Sequence, residues 1–321
     1  MKIEITKPLE LSSEQNNLLN NHSLLNILTI LVSEIGVSGI IVKAEAFSNE
    51  LRNQAIELKS LLNNSLDKSI DFSILDDFRE EVNTFFNIIR SYTSLDEELR
   101  FVLRESHENV IRVLDIFESR LVELKQRNES SSEWVETSIE QLNSNFNEVL
   151  NAIAKNSKGK YNIVSNIAKK SQHDYMVNLK IESQDSSTIL MPPVLQDCLR
   201  DLIANARKYT KPGGIIHAGL YNNGESITMV ISDTGCGIPP EELHKVVDFG
   251  YRASNVAVRP TMGGGFGLTK AYHVTQQHYG RMWIESDLDK GTTITIKIPV
   301  PVNKITSKRN VDFSNLMLTA D

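Results

Sequence analysis

The spacing of apolar residues changes once along this chain, near residue 158. A helix-period stretch and a strand-period stretch cannot be built into the same layer of a fold. Before that point Leu24, Leu28, Leu31 and Ile35 recur at helical spacing, and Pro8 is the lone proline. Helices are expected up to GVSG at 36–39, read as a break, then over 40–62, 72–93, 96–127 and 132–155. Ser94 and Ser130–Ser132, each followed by acids, are the expected N-caps of the last two. Helices of this number and length imply a bundle. After residue 158 the pattern shortens to alternation in YMVNLKIE (175–182), ITMVISD (227–233), RMWIES (281–286) and TTITIKIP (292–299). Helices are expected between them, over 193–208 and 267–278. Strands mixed with helices give a sheet with helices packed on one face. The expected fold is α+β: a helical bundle over 1–157, an α/β sandwich over 158–302 and an extension over 303–321.

Composition narrows the function classes. The 321 residues carry a net charge of -7, with no basic stripe or nucleic-acid motif, so nucleic acid is not expected as a partner. Cys198 and Cys236 have no metal-ligand spacing and make no disulfide framework. The most apolar stretch, 24–42, is interrupted by Asn26, Ser33, Glu34 and Gly36, so no transmembrane segment is expected. The N-terminal MKIEITKPLE lacks the apolar run of a signal peptide. A cytoplasmic protein is expected.

Four short elements follow one another in the second half: DLIANARKYT (201–210), DTGCGIPP (233–240), MGGGFGL (262–268) and GTTITI (291–296). Asp201 and Asn205 share a helix face, with Lys208 about a turn on. Asp233 ends an apolar strand, where a carboxylate needs donors. The glycines of 262–268 precede a helix, whose N-terminus favours anions. In order and spacing the four stretches resemble the N, G1, G2 and G3 boxes of the ATP-binding domain shared by sensor histidine kinases, gyrase-type ATPases and MutL. The last stretch, RMWIESDLDKGTTITIKIP, is similar to the histidine-kinase version. The resemblance covers about residues 160–300.

The resemblance implies ATP and Mg²⁺ as cofactors. It implies Asn205 as an oxygen ligand of Mg²⁺, Asp201 as an acid near the reacting phosphate, and Lys208 and Tyr209 as contacts to phosphate and adenine. It implies Asp233 as the reader of the adenine amino group, with Gly235 and Gly237 beside the base. Gly263, Gly264, Gly265, Phe266, Gly267 and Leu268 would form the phosphate loop, and Thr293 would line the site from the last strand. VVDFGYRAS (246–254) is similar to the F-box of a lid over 249–262, with Phe249 its aromatic and Arg252 or Arg259 in reach of phosphate.

Seven histidines are available for phosphorylation. NHSLLNILTIL (21–31) resembles the phosphoacceptor box of sensor kinases at His22, Asn26 and Leu28. It departs from that box at Ser23, where an acid follows the histidine. His107 is followed by Glu108 but falls in the row Leu103, His107, Val110, Leu114, Phe117, Leu121, which reads as a bundle seam. His22, His107 or neither remains open at this point. His244, His273 and His278 are read as structural. The resemblance implies a kinase that phosphorylates a bundle histidine and passes the group to the receiver domain of a response regulator. It also implies a homodimer through the bundle, with input from an upstream sensor protein. A phosphotransfer scaffold or pseudokinase that holds a receiver, and a serine kinase of the mitochondrial dehydrogenase kinase type, are the alternatives.

Overall fold

The computed structural model describes residues 1–41, 45–64, 73–91, 96–129, 133–157, 159–184, 187–257, 264–302 and 304. They form two compact units, Leu11–Glu129 and Met1–Glu10 with Ser130–Asp321.

The first unit is helical. Helix α1 (Ser13–Ile41) starts at a reciprocal cap. Gln15 N–H donates to Ser12 Oγ (3.1 Å), and Ser12 N–H donates to Gln15 Oε1 (2.9 Å). The remaining helices are α2 (Glu45–Asn64), α3 (Ser73–Arg90) and α4 (Glu97–Glu129). Leu24, Leu28, Leu31 and Ile35 of α1 are buried with Phe78, Phe85 and Phe86 of α3 and Val110, Leu114 and Phe117 of α4. The helix break expected at GVSG does not occur. One glycine inside a helix costs only about 1 kcal/mol, and here it lets Arg52 of α2 lie close, 3.3 Å from where a Cβ would stand. Ser38 returns its hydroxyl to Glu34 O (3.0 Å) and meets Ser106 Oγ of α4 at 2.8 Å. The expected caps at Ser94 and Ser130–Ser132 lie outside the described residues. Asp96 caps α4 through Leu99 N–H (2.7 Å).

The second unit is built on a sheet. Its strands are β1 (Lys2–Ile5), β3 (Ile163–Val164), β4 (Tyr175–Ser183), β6 (Ile215–Asn222), β7 (Ser226–Asp233), β8 (Arg281–Asp287) and β9 (Gly291–Pro299), in the order β1-β8-β9-β7-β6-β4-β3. The β3–β4 and β4–β6 pairs are parallel and the others antiparallel. A separate ribbon pairs β2 (Val135–Ser138) with β5 (Thr188–Met191). Helices α5 (Ile139–Asn156), α6 (Val194–Tyr209) and α7 (Gly267–Gln277) share one core with the sheet. Alternation decides which side chains enter that core. Ile227, Met229 and Ile231 of β7 and Ile294, Ile296 and Ile298 of β9 are buried, while the residues between them are partly open.

The unit boundary differs from the one expected at 157/158. Val135 and Thr137 are strand residues paired with β5, and a helix begins only at Ile139, with Ser138 Oγ accepting from Gln141 N–H (3.3 Å). Leu142, Phe146 and Leu150 then bury the apolar face of α5 in the sheet's core. At the other end β1 pairs with β8, and Ile5 is 3% exposed. The helical unit is therefore an insertion between β1 and the rest of the sheet unit. The chain after β1 stays bonded to α7: Tyr272 Oη donates to Lys7 O (2.6 Å), Gln276 Nε2 donates to the same oxygen (3.1 Å), and Lys7 pairs with Asp248.

Among the described residues no single helix is long and apolar enough to cross a membrane. The two arms of α1 would reach that length only together, and Leu28, Leu31 and Ile35 of that helix are buried in the bundle.

Candidate nucleotide site

The C-terminal half of α6, the end of β7, the start of β9 and the first turn of α7 surround a cavity that opens to solvent. Leu202, Ile231, Val246, Leu268 and Ile294 give it apolar walls, and Asn205, Asp233 and Thr292 give it polar groups. This is the mixture that small-molecule sites have, apolar walls with a few convergent polar atoms.

Asp233 stands where β7 ends and the chain leaves the sheet. Its Oδ1 accepts from Gly235 N–H (2.8 Å) and Thr292 N–H (3.3 Å). Burial pushes the carboxyl up to about 6, and the two backbone donors offset part of that rise. Gly237 has φ 68°, and a Cβ there would strike Asp287 O. The loop after β7 can therefore lie against the β8–β9 turn only with glycine at this position.

Asn205 faces the cavity from α6, held there by an apolar helix face in which Leu199, Leu202, Ile203 and Ala206 pack on the sheet. Tyr209, on the same helix, also lines it. Lys208 is half-buried with its ammonium 5.3 Å from the Tyr209 ring centre. Burial lowers its pKa, and Arg252 and Arg207 add to the effect. Among the expected loop residues, Gly265 and Leu268 line the cavity. Gly265 has φ 76°, and a Cβ there would stand 2.8 Å from Tyr251 O. Phe266 instead turns onto Phe249, ring centres 4.7 Å apart, which joins the loop to the F-box segment. Gly267 packs on Asn205. Gly264 is exposed. Gly263, Arg259 and Met262 lie outside the described residues. Arg252 lines the cavity and donates to Val256 O (3.0 Å).

Lys208, Gly235, Gly264, Phe266 and Gly267 border the cavity's elements without lining it, and Thr293 and Asp201 turn to other partners. Thr293 lies on the far face of β9, where its hydroxyl meets Ser232 Oγ at 2.8 Å. The period of two puts Thr292, not Thr293, beside Ile294 and opposite Asp233. The isoleucines at 294, 296 and 298 already carried that signal. Asp201 is one turn from Asn205, but its carboxylate bonds Lys270 Nζ (3.1 Å) of α7. Lys270, 2% exposed, had no sequence signal, because a lysine on a helix ordinarily reads as surface.

In the helical unit, His107 uses both ring nitrogens. Nδ1 lies 2.5 Å from Arg90 Nη2 and Nε2 lies 2.9 Å from Asn83 Oδ1. Since a guanidinium only donates, Nδ1 accepts and Nε2–H donates to Asn83. The ring stacks on Phe86 at 4.5 Å. His22 is half-buried on α1.

Residues 192–302 match the family model described as histidine kinase-, DNA gyrase B- and HSP90-like ATPase. This segment is an ATPase domain of that family. It contains α6, β7, α7 and β9, so the ATPase domain supplies Asn205, Asp233, Thr292 and Leu268. Sensor protein SrrB of Staphylococcus aureus is 38% identical over 107 residues, which are 33% of this chain and 18% of the relative. The chain thus spans less than a fifth of the curated relatives it matches. Among solved structures, a mycobacterial sensor histidine kinase, MprB, is 20% identical over 51% of this chain and 97% of its own, with a TM-score of 0.38. Full-length ShkA with AMPPNP is 19% identical over 71% and 44%, with a TM-score of 0.42. The likeness of the ATPase domain to sensor histidine kinases, first visible in its four boxes, holds.

Proposed function

We propose that this protein is an ATP-dependent histidine kinase that phosphorylates His22 of its own helical unit. From there the phosphoryl group passes to an aspartate in the receiver domain of a response regulator. The observation that carries the reading is the pairing, in one cavity of an ATPase-family domain, of a half-buried carboxylate at Asp233 with a neutral amide at Asn205.

The cavity's chemistry suits the nucleotide. The Oδ2 of Asp233 would accept from the adenine amino group, in a cavity that Ile231 and Ile294 also line. Asn205 offers the hard, uncharged oxygen that Mg²⁺ takes, and the other ligands would be phosphate oxygens and water. No group of three or more His, Cys, Asp or Glu among the described residues could hold a metal alone, which suits an ion brought in with its nucleotide. Bound there, Mg²⁺ would draw charge from the phosphate oxygens. Arg252, which lines the cavity, and Lys208, on α6 beside Tyr209, would share that work. The imidazole of His22 would attack the γ-phosphorus in line. A P–N bond forms as the bond to the bridging oxygen breaks and ADP departs, and the ring gives up its other proton. Catalysis is then mostly positioning and charge neutralisation.

Ser23 favours a second reading. An acid follows the phosphoacceptor histidine in the family the sequence resembles, and its absence removes an acceptor for the ring proton. A scaffold that binds ATP and a receiver domain without autophosphorylation fits that substitution. Purified protein with γ-labelled ATP and Mg²⁺ separates the two. Acid-labile, alkali-stable label that His22→Gln abolishes and His107→Gln leaves supports the kinase. Nucleotide binding without any label supports the scaffold, and acid-stable label points to a serine kinase. A homodimer through the helical unit, an upstream sensor protein and a cytoplasmic location complete the proposal.

A further inference from the structure

The face of α6 that carries Asn205 continues away from the cavity through Asp201 and Asp197, each four residues back. Helix α7 lies along it. Its first residue, Gly267, is so close that an added Cβ would stand 2.5 Å from Asn205 Nδ2. One turn on, Lys270 Nζ is 3.1 Å from Asp201 Oδ2 and 3.7 Å from Asp197 Oδ2. The lysine side chain is 3% exposed, and Arg200, paired with Asp197, is 7% exposed. Among the described residues two carboxylates and two cations thus form one cluster, and Lys270 carries it from α7 to α6.

Such a cluster is an inefficient source of stability, because packed apolar side chains of the same volume usually do as well or better. What it adds over apolar packing is register. An ammonium between two carboxylates fixes where α7 sits along α6, whereas apolar side chains tolerate sliding. Gly267 makes that register matter, since its backbone forms the wall behind the Asn205 amide.

We propose that Lys270, through Asp201 and Asp197, is a positioning residue. It sets the register of α7 on α6 and so holds the Asn205 amide in the orientation that receives Mg²⁺. Asp201 belongs to this device and not to the reacting groups. The inference rests on the reading of Asn205 as a magnesium ligand.

Lys270→Met alone takes the ammonium from a half-buried carboxylate and can simply unfold the domain. The test is therefore the double variant Asp201→Asn with Lys270→Met, which keeps the Asp197–Arg200 pair and removes one charge of each sign. Melting of the nucleotide-free protein should stay close to wild type. Calorimetric affinity for ADP in EDTA should stay within about twofold, the scatter of independent changes. The gain in affinity that Mg²⁺ confers should fall by about tenfold, a typical coupling between sites. Gly267→Ala approaches the same amide from the other side. Its new Cβ displaces the Asn205 side chain in a backbone conformation that alanine tolerates, and it should lose the magnesium gain in the same way. In both variants the side-chain amide NMR signal of Asn205 should shift without ligand. A folded double variant with the full magnesium gain overturns the inference, as does equal weakening with and without Mg²⁺. A wild-type protein that gains nothing from Mg²⁺ overturns the reading of Asn205 beneath it.

Discussion

Asp233 shows at the scale of one residue how the site costs the fold. Its carboxyl rises from 3.8 to about 6 on folding, so its charged form is the disfavoured one in the folded state. The penalty is absent below about pH 4, where the unfolded carboxyl is protonated too, and complete above about pH 6. At 1.36 kcal/mol per unit it reaches about 3 kcal/mol. Asp233→Asn keeps an oxygen for Gly235 N–H and Thr292 N–H and removes the charge. It should raise the melting temperature most at pH 8 and by only about a third as much at pH 4.5, where about a third of the penalty is present. The same change presents a donor to the adenine amino group and should weaken ATP by about 1–3 kcal/mol while sparing inorganic triphosphate. Thermal melts at the two pH values and paired titrations check both halves, and equal stabilisation at both pH values would refute the first. Asp233 and Asn205 were legible in the sequence because each stands at a fixed place in a motif whose chemistry is local. Thr292 was missed by one residue, through trusting the box over the alternation. Lys270 was illegible, since only the packing of α7 on α6 makes its charge internal.

At the scale of elements, the strands with strict alternation were readable and the compromised ones were not. β6 carries His217 and Gly219 within IIHAGLYN, and β1 is four residues long, too short to show a period. β2 was absorbed into a helix because Glu133, Glu136 and Glu140 suit a helical surface, and only pairing with β5 overrides that preference. β1 is nevertheless a working part of the sheet. Ile5→Asp puts a charge at a 3% exposed position and should destabilise the sheet unit by at least about 2 kcal/mol, with the helical unit unaffected. Urea melts followed by Trp134 or Trp283 fluorescence would reveal it, and an unchanged midpoint would show that β1 is dispensable. In the helical unit, the α3–α4 contact at His107 sets a pH response. Burial, then Arg90, lowers its pKa, so the neutral ring is the folded form. A lowered histidine pKa means that stability is present above the unfolded value of about 6.5 and declines as pH falls below it. His107→Gln should flatten that decline, as measured by the helical signal between pH 7.5 and 5.

For the whole molecule, the two halves were legible as helical and mixed, but the way the chain threads them was not. Nothing in a period or a motif says that the first strand forms the sheet edge beside β8, because the partner of β1 is specified only in three dimensions. The insertion has a consequence for the order of folding. β1 is made first, yet it pairs with β8, about 280 residues later in the chain. The helical unit has its own core and can form in the interval, while Lys2–Ile5 wait as an unpaired strand. Closing so long a loop is slow, because its entropy must be lost before any contact is gained. Refolding from urea should therefore show a fast phase in helical signal and a slower one in tryptophan fluorescence. Ile5→Asp should remove only the slow amplitude. During synthesis the same delay leaves the edge of β8 as the last surface to be covered, and it is there that a stalled or overproduced chain would find another copy of itself.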